Sequence, residues 1–432
     1  MRNKKKIPAL RLDLAKIELP KSTTQSVISP SKELELCRVK KDFETPVSSV
    51  RFTNKTLLSN HYVLIPQEPI TPGAHASVQQ EQLVSPGGNS SMNLVRKYGS
   101  TPVLSEIETY QLIFSNKESS KKSILQPIFN TTSNAFEYDL HLPLMPGGNL
   151  KKKQNFIWNA LNSLKREDIV LAWFHKQIIS LLETLEHLHS AEFTDGTHKY
   201  KGIVHGDIKL DNILITDKGD LVFADLDCAY PITETAKKFG SLPYIAPELF
   251  ANENFQKKPI KNIEKSDIWS LGISLHYLIK NKAPSFEKSN PANDTSISTF
   301  FSKKNRYNYP TKNNKNAFYQ ADFEGDLFRK NWGEHYSDYP LAKEAKNAMA
   351  QLNKRPVFFT PHRPFTLALL YNLTLSMLLP ISKRPNATQI LDKIKKMSPP
   401  EPLDIFYDRF IAGLLTQRSF NQDTTNNFVT HF

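Results

Sequence analysis

One stretch constrains this chain more than any other: Gly202 to Asp225, GIVHGDIKLDNILITDKGDLVFAD. Ile203 and Val204 lead into a polar loop in which His205, Asp207, Lys209 and Asn212 place four polar functions around one point. Asn212-Ile213-Leu214-Ile215-Thr216 then reads as a strand. Asp217-Lys218-Gly219-Asp220 turns and Leu221-Val222-Phe223-Ala224 returns, so that Asp225 closes a hairpin.

Those residue types suit phosphoryl transfer, which asks for positioning and charge stabilisation more than covalent chemistry. Asp207 fits the acid that orients and deprotonates a hydroxyl, and Lys209 the cation that neutralises the moving phosphate. Asn212 and Asp225 fit the oxygen ligands of Mg²⁺, which is usually held by few protein groups plus phosphates. The stretch resembles the protein kinase family, whose loop reads H-R-D-x-K-x-x-N and whose metal-binding acid opens D-F-G. Here the matching residues are His205-Gly206-Asp207-Ile208-Lys209-Leu210-Asp211-Asn212 and Asp225-Leu226-Asp227.

Further elements carry the resemblance. Gly240-Ser241-Leu242-Pro243-Tyr244-Ile245-Ala246-Pro247-Glu248 resembles GT-x-x-Y-x-A-P-E. Ser266-Asp267-Ile268-Trp269-Ser270-Leu271-Gly272 resembles S-D-x-W-S-L-G, and Lys383-Arg384-Pro385 the later R-P element. The resemblance implies that the Ser241 hydroxyl contacts Asp207 and Lys209. It also implies that Asp267 holds the catalytic-loop backbone, and that Glu248 and Arg384 form one buried ion pair with a structural role. Ser266 or Asp267 is expected to cap the helix that follows.

The family order implies an α+β, bilobal fold, with a β-rich N-lobe over about 59–142, a hinge at 143–150 and a helical C-lobe over 151–398. In the N-lobe, Tyr62–Ile65 reads as a strand, and Gln82–Val84 with Asn93–Lys97 flank a Pro-Gly-Gly-Asn turn. Lys97 fits the lysine that holds the α- and β-phosphates of ATP. Gly73 begins the position of the glycine-rich loop, but the later glycines are missing, which weakens close backbone approach to phosphate. Ser105–Ile113 reads as a short helix, and the resemblance implies that its Glu106, or alternatively Glu108, pairs with Lys97. Ile124–Phe129 and Phe136–Leu142 read as two more strands. Leu142–Leu150 (LPLMPGGNL) resembles the hinge, where Pro143 supplies a backbone carbonyl and Met145 a backbone N–H to adenine.

Asp168–His189 carries apolar residues at helical spacing and reads as the long helix before the catalytic loop; Ser190–Lys201 reads as a polar insertion. A larger Asn-, Lys-, Ser- and Tyr-rich insertion lies at about 288–362, with short helices expected near Asp322–Trp332 and Leu341–Leu352. It could carry a regulatory or substrate-docking partner, or be a solvated embellishment. Phe365–Leu379 and Ala387–Met397 read as helices. The tail over 399–432 is expected to dock one helix and then fray.

Residues 1–58 read as a basic, irregular extension with one short helix at Leu10–Leu19. The first sixty residues hold 13 Lys and Arg against 6 Asp and Glu, within a net charge of +13. Without aromatic interleaving or a sustained amphipathic stretch, a solvated tail is expected there, not a reader of nucleic acid or membrane. Two cysteines, Cys37 and Cys228, exclude a disulfide framework and fit a reducing compartment. No secretory signal and no membrane span are read. A cytoplasmic setting is expected, or a host cytosol if the Lys- and Asn-rich style is that of a bacterial effector.

The resemblance implies an ATP- and Mg²⁺- (or Mn²⁺-) dependent serine/threonine kinase acting on a protein. Gly206 stands where many relatives have the Arg that reads a phosphate on the segment after Asp225, so activity independent of phosphorylation at Thr233 or Thr235 is expected. Two other readings stand beside it. His205-Gly206-Asp207 with Asn212 also resembles small-molecule kinases of the aminoglycoside and choline type, which lack a Lys at the place of Lys209. The degenerate glycine loop, and Asp227 in place of a glycine, fit a pseudokinase scaffold.

Overall fold

Period-two alternation in Ser77–Val84 (β3) and Ser91–Gly99 (β4) buries Leu83 and Leu94 on one side of an antiparallel hairpin, which is the centre of the N-terminal sheet. The computed structural model describes residues 56–57, 63–70, 76–85, 91–134, 137–163, 166–234, 240–241, 244–251, 260–282, 284, 340–353, 363–402 and 404–416. The chain forms two compact units, one of Met1–Met145 with Phe193–Lys199, the other of Pro146–Glu192 with Tyr200–Phe432.

In the first unit β1 (Thr56–Leu57), β2 (Val63–Ile70), β3, β4, β5 (Phe129–Asn134) and β6 (Glu137–Pro143) form a six-stranded sheet in the order β1-β2-β3-β4-β6-β5. Every pairing in it is antiparallel. Leu64, Leu83, Leu94 and Ile128 make a buried cluster. The helix α1 (Thr101–Phe114) buries Val103, Ile107, Tyr110 and Ile113. It is longer than the Ser105–Ile113 expected, because Pro102 sits in its first turn, where a missing N–H costs nothing.

Two strand readings are corrected. β2 runs on to Ile70 through a register irregularity between Pro66 and Pro69. Ile124–Ile128 is not a strand: Ile124, Leu125 and Ile128 are buried, and the ladder starts only at Phe129, opposite His141. An apolar run becomes a strand only where a partner edge is in register. Gly73, the Leu10–Leu19 helix and the Asp322–Trp332 helix lie outside the described residues.

In the second unit α2 (Gln154–Leu161) and α3 (Glu167–Ser190) come first; the chain then forms a short hairpin of β7 (Glu192–Thr194) and β8 (Lys199–Lys201), whose residues Phe193–Lys199 belong to the first unit, within the stretch expected to be a polar insertion. Trp173, Phe174, Ile178, Leu181, Leu182, Leu185 and Leu188 of α3 are buried, each contributing about 1.5–3 kcal/mol of transfer free energy. Next come β9 (Ile203–Val204), β10 (Ile213–Ile215), β11 (Leu221–Phe223), β12 (Tyr230–Pro231), α4 (Pro247–Ala251) and α5 (Lys265–Lys280).

After α5, α6 (Pro340–Asn353), β13 (Arg363–Pro364), α7 (Leu367–Ser376), α8 (Ala387–Ile394), β14 (Met397–Ser398) and α9 (Asp404–Leu415) follow. α7 and α8 are shorter than expected. Thr366 caps the first, a capping box of Asn386 and Gln389 opens the second, and Met397 belongs to β14. No described helix is long and apolar enough to cross a membrane.

Candidate active site

β9 pairs antiparallel with β12, Val204 opposite Tyr230, so the loop after β9 and the segment before β12 start from one two-stranded anchor. Asp267 organises the loop from below. Its carboxylate accepts His205 N at 2.8 Å, Gly206 N at 3.0 Å and His189 Nε2 at 2.9 Å, and the residue is 1% exposed. Burial alone would push this carboxyl up. The His189 hydrogen bond and charge, with His205 and the Gly206 amide, outweigh it and hold Asp267 below the usual carboxylate range. The expected capping role is therefore corrected. Glu264 precedes α5, no side chain caps it, and Ser266 and Asp267 lie inside its first turn.

Gly206 has φ +80°, and a Cβ there would stand 2.5 Å from Cys228 O. An L-residue side chain is excluded twice, by backbone conformation and by contact. The next residue, Asp207, is buried with both carboxylate oxygens engaged. Oδ1 accepts Ser241 N at 2.7 Å; Oδ2 accepts Lys209 Nζ at 2.6 Å and Asn212 Nδ2 at 3.0 Å. Lys209 Nζ also donates to Ser241 Oγ at 2.7 Å. Among the described residues the Ser241 hydroxyl meets Lys209, and the contact of Ser241 with Asp207 is made by its backbone amide. Gly240 lets this segment approach, since a Cβ there would meet Gly206 O at 2.3 Å.

Burial would lower the Lys209 ammonium, but the charge and hydrogen bond of Asp207, with the charges of Asp225 and Asp211, raise it above its ordinary value. Lys209 is thus a permanent cation among three carboxylates. Asn212 Nδ2 is committed to Asp207 O at 2.9 Å and to Asp207 Oδ2, so its Oδ1 is the atom that can face a cation. Ala224 N donates to Asn212 O at 2.9 Å, which brings Asp225 to the same end of the β10–β11 hairpin. Asp225 sits at φ 63°, a left-handed conformation that an Asp adopts only where its surroundings enforce it. Hard oxygen donors so placed fit Mg²⁺. Among the described residues no cluster of three or more His, Cys, Asp or Glu side chains forms a metal cage.

In the first unit, Lys97 of β4 lies opposite Val78 and Leu140 of its neighbouring strands. Its Nζ is 2.6 Å from Glu106 Oε2, and Glu106 is 0% exposed on the buried face of α1. Glu108 is on the exposed face of the same helix, which decides between the two acids. Pro143 ends β6, and Leu144 N donates to Asn93 O at 3.0 Å just before Met145.

Away from the loop, Arg384 Nη1 and Nη2 reach Glu248 Oε1 and Oε2 at 2.6 and 3.0 Å, and Arg384 is 1% exposed. Two further donors go to Lys265 O and Leu379 O. Sequence reasoning missed His189 as a partner of Asp267, and Gly240. A His in the last turn of an amphipathic helix gives no local sign that its acceptor lies 78 residues away.

A family model described as "Protein kinase domain" matches residues 103–393. The chain is 31% identical over 183 residues to mitogen-activated protein kinase kinase kinase 5 of Homo sapiens, covering 41% of this chain and 12% of that protein. It is 29% identical over 203 residues to serine/threonine-protein kinase Nek5 of Homo sapiens, covering 44% and 25%. It is 28% identical over 172 residues to serine/threonine-protein kinase pakC of Dictyostelium discoideum, covering 39% and 31%. The chain thus spans less than a third of the length of each of these curated relatives.

Proposed function

The chain belongs to the protein kinase family, and on that premise we propose that it transfers the γ-phosphate of ATP to a serine or threonine hydroxyl of a protein. The observation that carries this reading is the bridge made by Lys209 Nζ, 2.6 Å from Asp207 Oδ2 and 2.7 Å from Ser241 Oγ. A carboxylate held by a fixed cation and two amide donors is pre-oriented as an acceptor for a hydroxyl proton.

In this reading the acceptor hydroxyl donates to Asp207, and its oxygen attacks the γ-phosphorus. A new oxygen–phosphorus bond forms as the bond to the β,γ-bridging oxygen breaks, ADP leaves, and the proton ends on Asp207. Lys209 stabilises charge on the moving phosphoryl group. Lys97, held by Glu106, takes the α- and β-phosphates, and the Pro143 carbonyl and Met145 N–H take adenine. Asn212 and Asp225 would hold a divalent cation, which would supply neutralising charge to the phosphate oxygens. Gly206 leaves no cation at that place to read a phosphate on the following segment, which supports activity without phosphorylation there.

The test is transfer of labelled γ-phosphate with Mg²⁺ or Mn²⁺ to the chain itself and to a generic protein acceptor. Label on serine or threonine is expected from the wild type and not from Asp207→Asn or Asp225→Asn. Label that persists in Asp207→Asn would overturn the assignment of the base. Nucleotide binding without any transfer would favour a scaffold.

A further inference from the structure

One face of α9, the last helix among the described residues, packs onto α2, α3 and the turn between β10 and β11. Phe410 stacks on Phe156 of α2, centroids 5.6 Å apart, and meets Trp173 of α3 edge-on at 5.7 Å. Trp173 Nε1 in turn donates to Gly219 O, in the turn, at 2.9 Å. Ile411 lies over the same glycine so closely that a Cβ on Gly219 would stand 2.7 Å from Ile411 Cδ1. Beside it Asp220 accepts from Lys176 at 2.8 Å and from Gln177 at 2.9 Å. Just past the helix, Thr416 O accepts Lys153 Nζ at 2.6 Å.

The turn is the closed end of a hairpin whose open end carries Asn212 and Asp225. The ladder between them is short: Ile213, Leu214 and Ile215 opposite Phe223, Val222 and Leu221. A two-stranded ribbon of that length has little stability of its own and takes its position from what packs on it. Trp173 and Ile411 both meet Gly219 in the turn, and Gln177 Oε1 accepts Leu221 N at 2.8 Å on the returning strand.

We propose that α9 is a positioning element for the active site: Phe410 and Ile411 fix the Gly219 turn, and through the hairpin they set the placement of Asn212 and Asp225. This rests on the reading that those two residues hold a divalent cation. The variants are full-length Ile411→Ala and Phe410→Ala, with Ile405→Ala as control, since Ile405 is 57% exposed on the same helix. Amide hydrogen exchange over Ile213–Phe223 and Mn²⁺ binding in the presence of a non-hydrolysable ATP analogue are measured on each.

In Ile411→Ala and Phe410→Ala, hairpin amides exchange about tenfold faster and Mn²⁺ binds about fivefold more weakly, while α5 amides keep their protection. Ile405→Ala matches the wild type. Unchanged hairpin exchange in folded Ile411→Ala overturns the proposal, and that milder variant decides the question if Phe410→Ala fails to fold. A wild type that binds no Mn²⁺ with nucleotide overturns the active-site reading instead, and the exchange comparison alone then decides whether α9 braces the hairpin.

Discussion

Arg384 and Glu248, 136 residues apart in the chain, meet as a two-pronged ion pair, Nη1 to Oε1 at 2.6 Å and Nη2 to Oε2 at 3.0 Å. The guanidinium also lies 5.0 Å from the Trp269 ring centroid. The pair ties α4, which follows the Ser241 segment, to the loop before α8. Removing one partner leaves a charge with little access to water. Arg384→Ala should therefore cost about 3–5 kcal/mol in denaturant unfolding. Arg384→Lys should recover little of it, because a point charge cannot span both oxygens. A loss under 1 kcal/mol would show that water replaces the arginine.

Ser241 meets Lys209 by its hydroxyl and Asp207 by its amide. Ser241→Ala removes only the first contact. A hydrogen bond to a charged group contributes about 1.5–3 kcal/mol, so kcat should fall about tenfold or more with nucleotide affinity kept. An unchanged kcat, in steady-state transfer assays, would mean that Asp207 alone holds Lys209.

Lys97 and Glu106 form a pair within the first unit, and Glu106 is wholly buried. Lys97→Met should weaken nucleotide binding about tenfold by calorimetry, as one charge-assisted contact to phosphate is lost. Equal affinity would remove Lys97 from the nucleotide site. Glu106→Gln keeps the shape of the acid and should give a smaller loss.

Gly206 at φ +80° packs against Cys228 O. Gly206→Ala should destabilise the chain by about 1–3 kcal/mol, from left-handed strain together with the close contact. Gly206→Arg should lower activity and confer no response to phosphate. Conversely, Thr233→Ala with Thr235→Ala should leave transfer largely intact, and a collapse of activity in that double variant would show that phosphorylation there matters.

His276 is buried in α5, and its Nδ1 lies 2.9 Å from Lys282 O. Burial lowers its pKa to about 4, against the raising effect of the Lys282 carbonyl and with help from the Lys280 and Lys282 charges. A histidine whose folded pKa is depressed gives full stability above its unfolded pKa of about 6.5 and loses it as pH falls toward the folded value. Stability should therefore decline between pH 6.5 and about 4, and His276→Gln should flatten that slope in urea titrations at several pH values. An identical slope in the variant would place the acid sensitivity elsewhere.

The hairpin of Ile213–Phe223, the long helix α3 and the spacing of Asp207, Lys209 and Asn212 were legible because each is local. Alternation, turn residues and helical spacing are written within a few residues of where they act. So was the pattern that joins Ser241, Asp267, Glu248 and Arg384 to one family. The apolar spacing after Glu106 favoured it over Glu108, and the structure pairs it with Lys97. The start of β5 was not legible, since it waits on register with β6, and neither was the position of Asp267 inside the first turn of α5, where a local reading makes it a cap. His189 against Asp267, Gly206 against Cys228 O and Ile411 over Gly219 join residues far apart in the chain. The sequence by itself determined the elements and the chemical groups, through short-range propensity and spacing. Tertiary structure decided which groups meet, because burial and hydrogen-bond geometry are settled only when distant segments pack together.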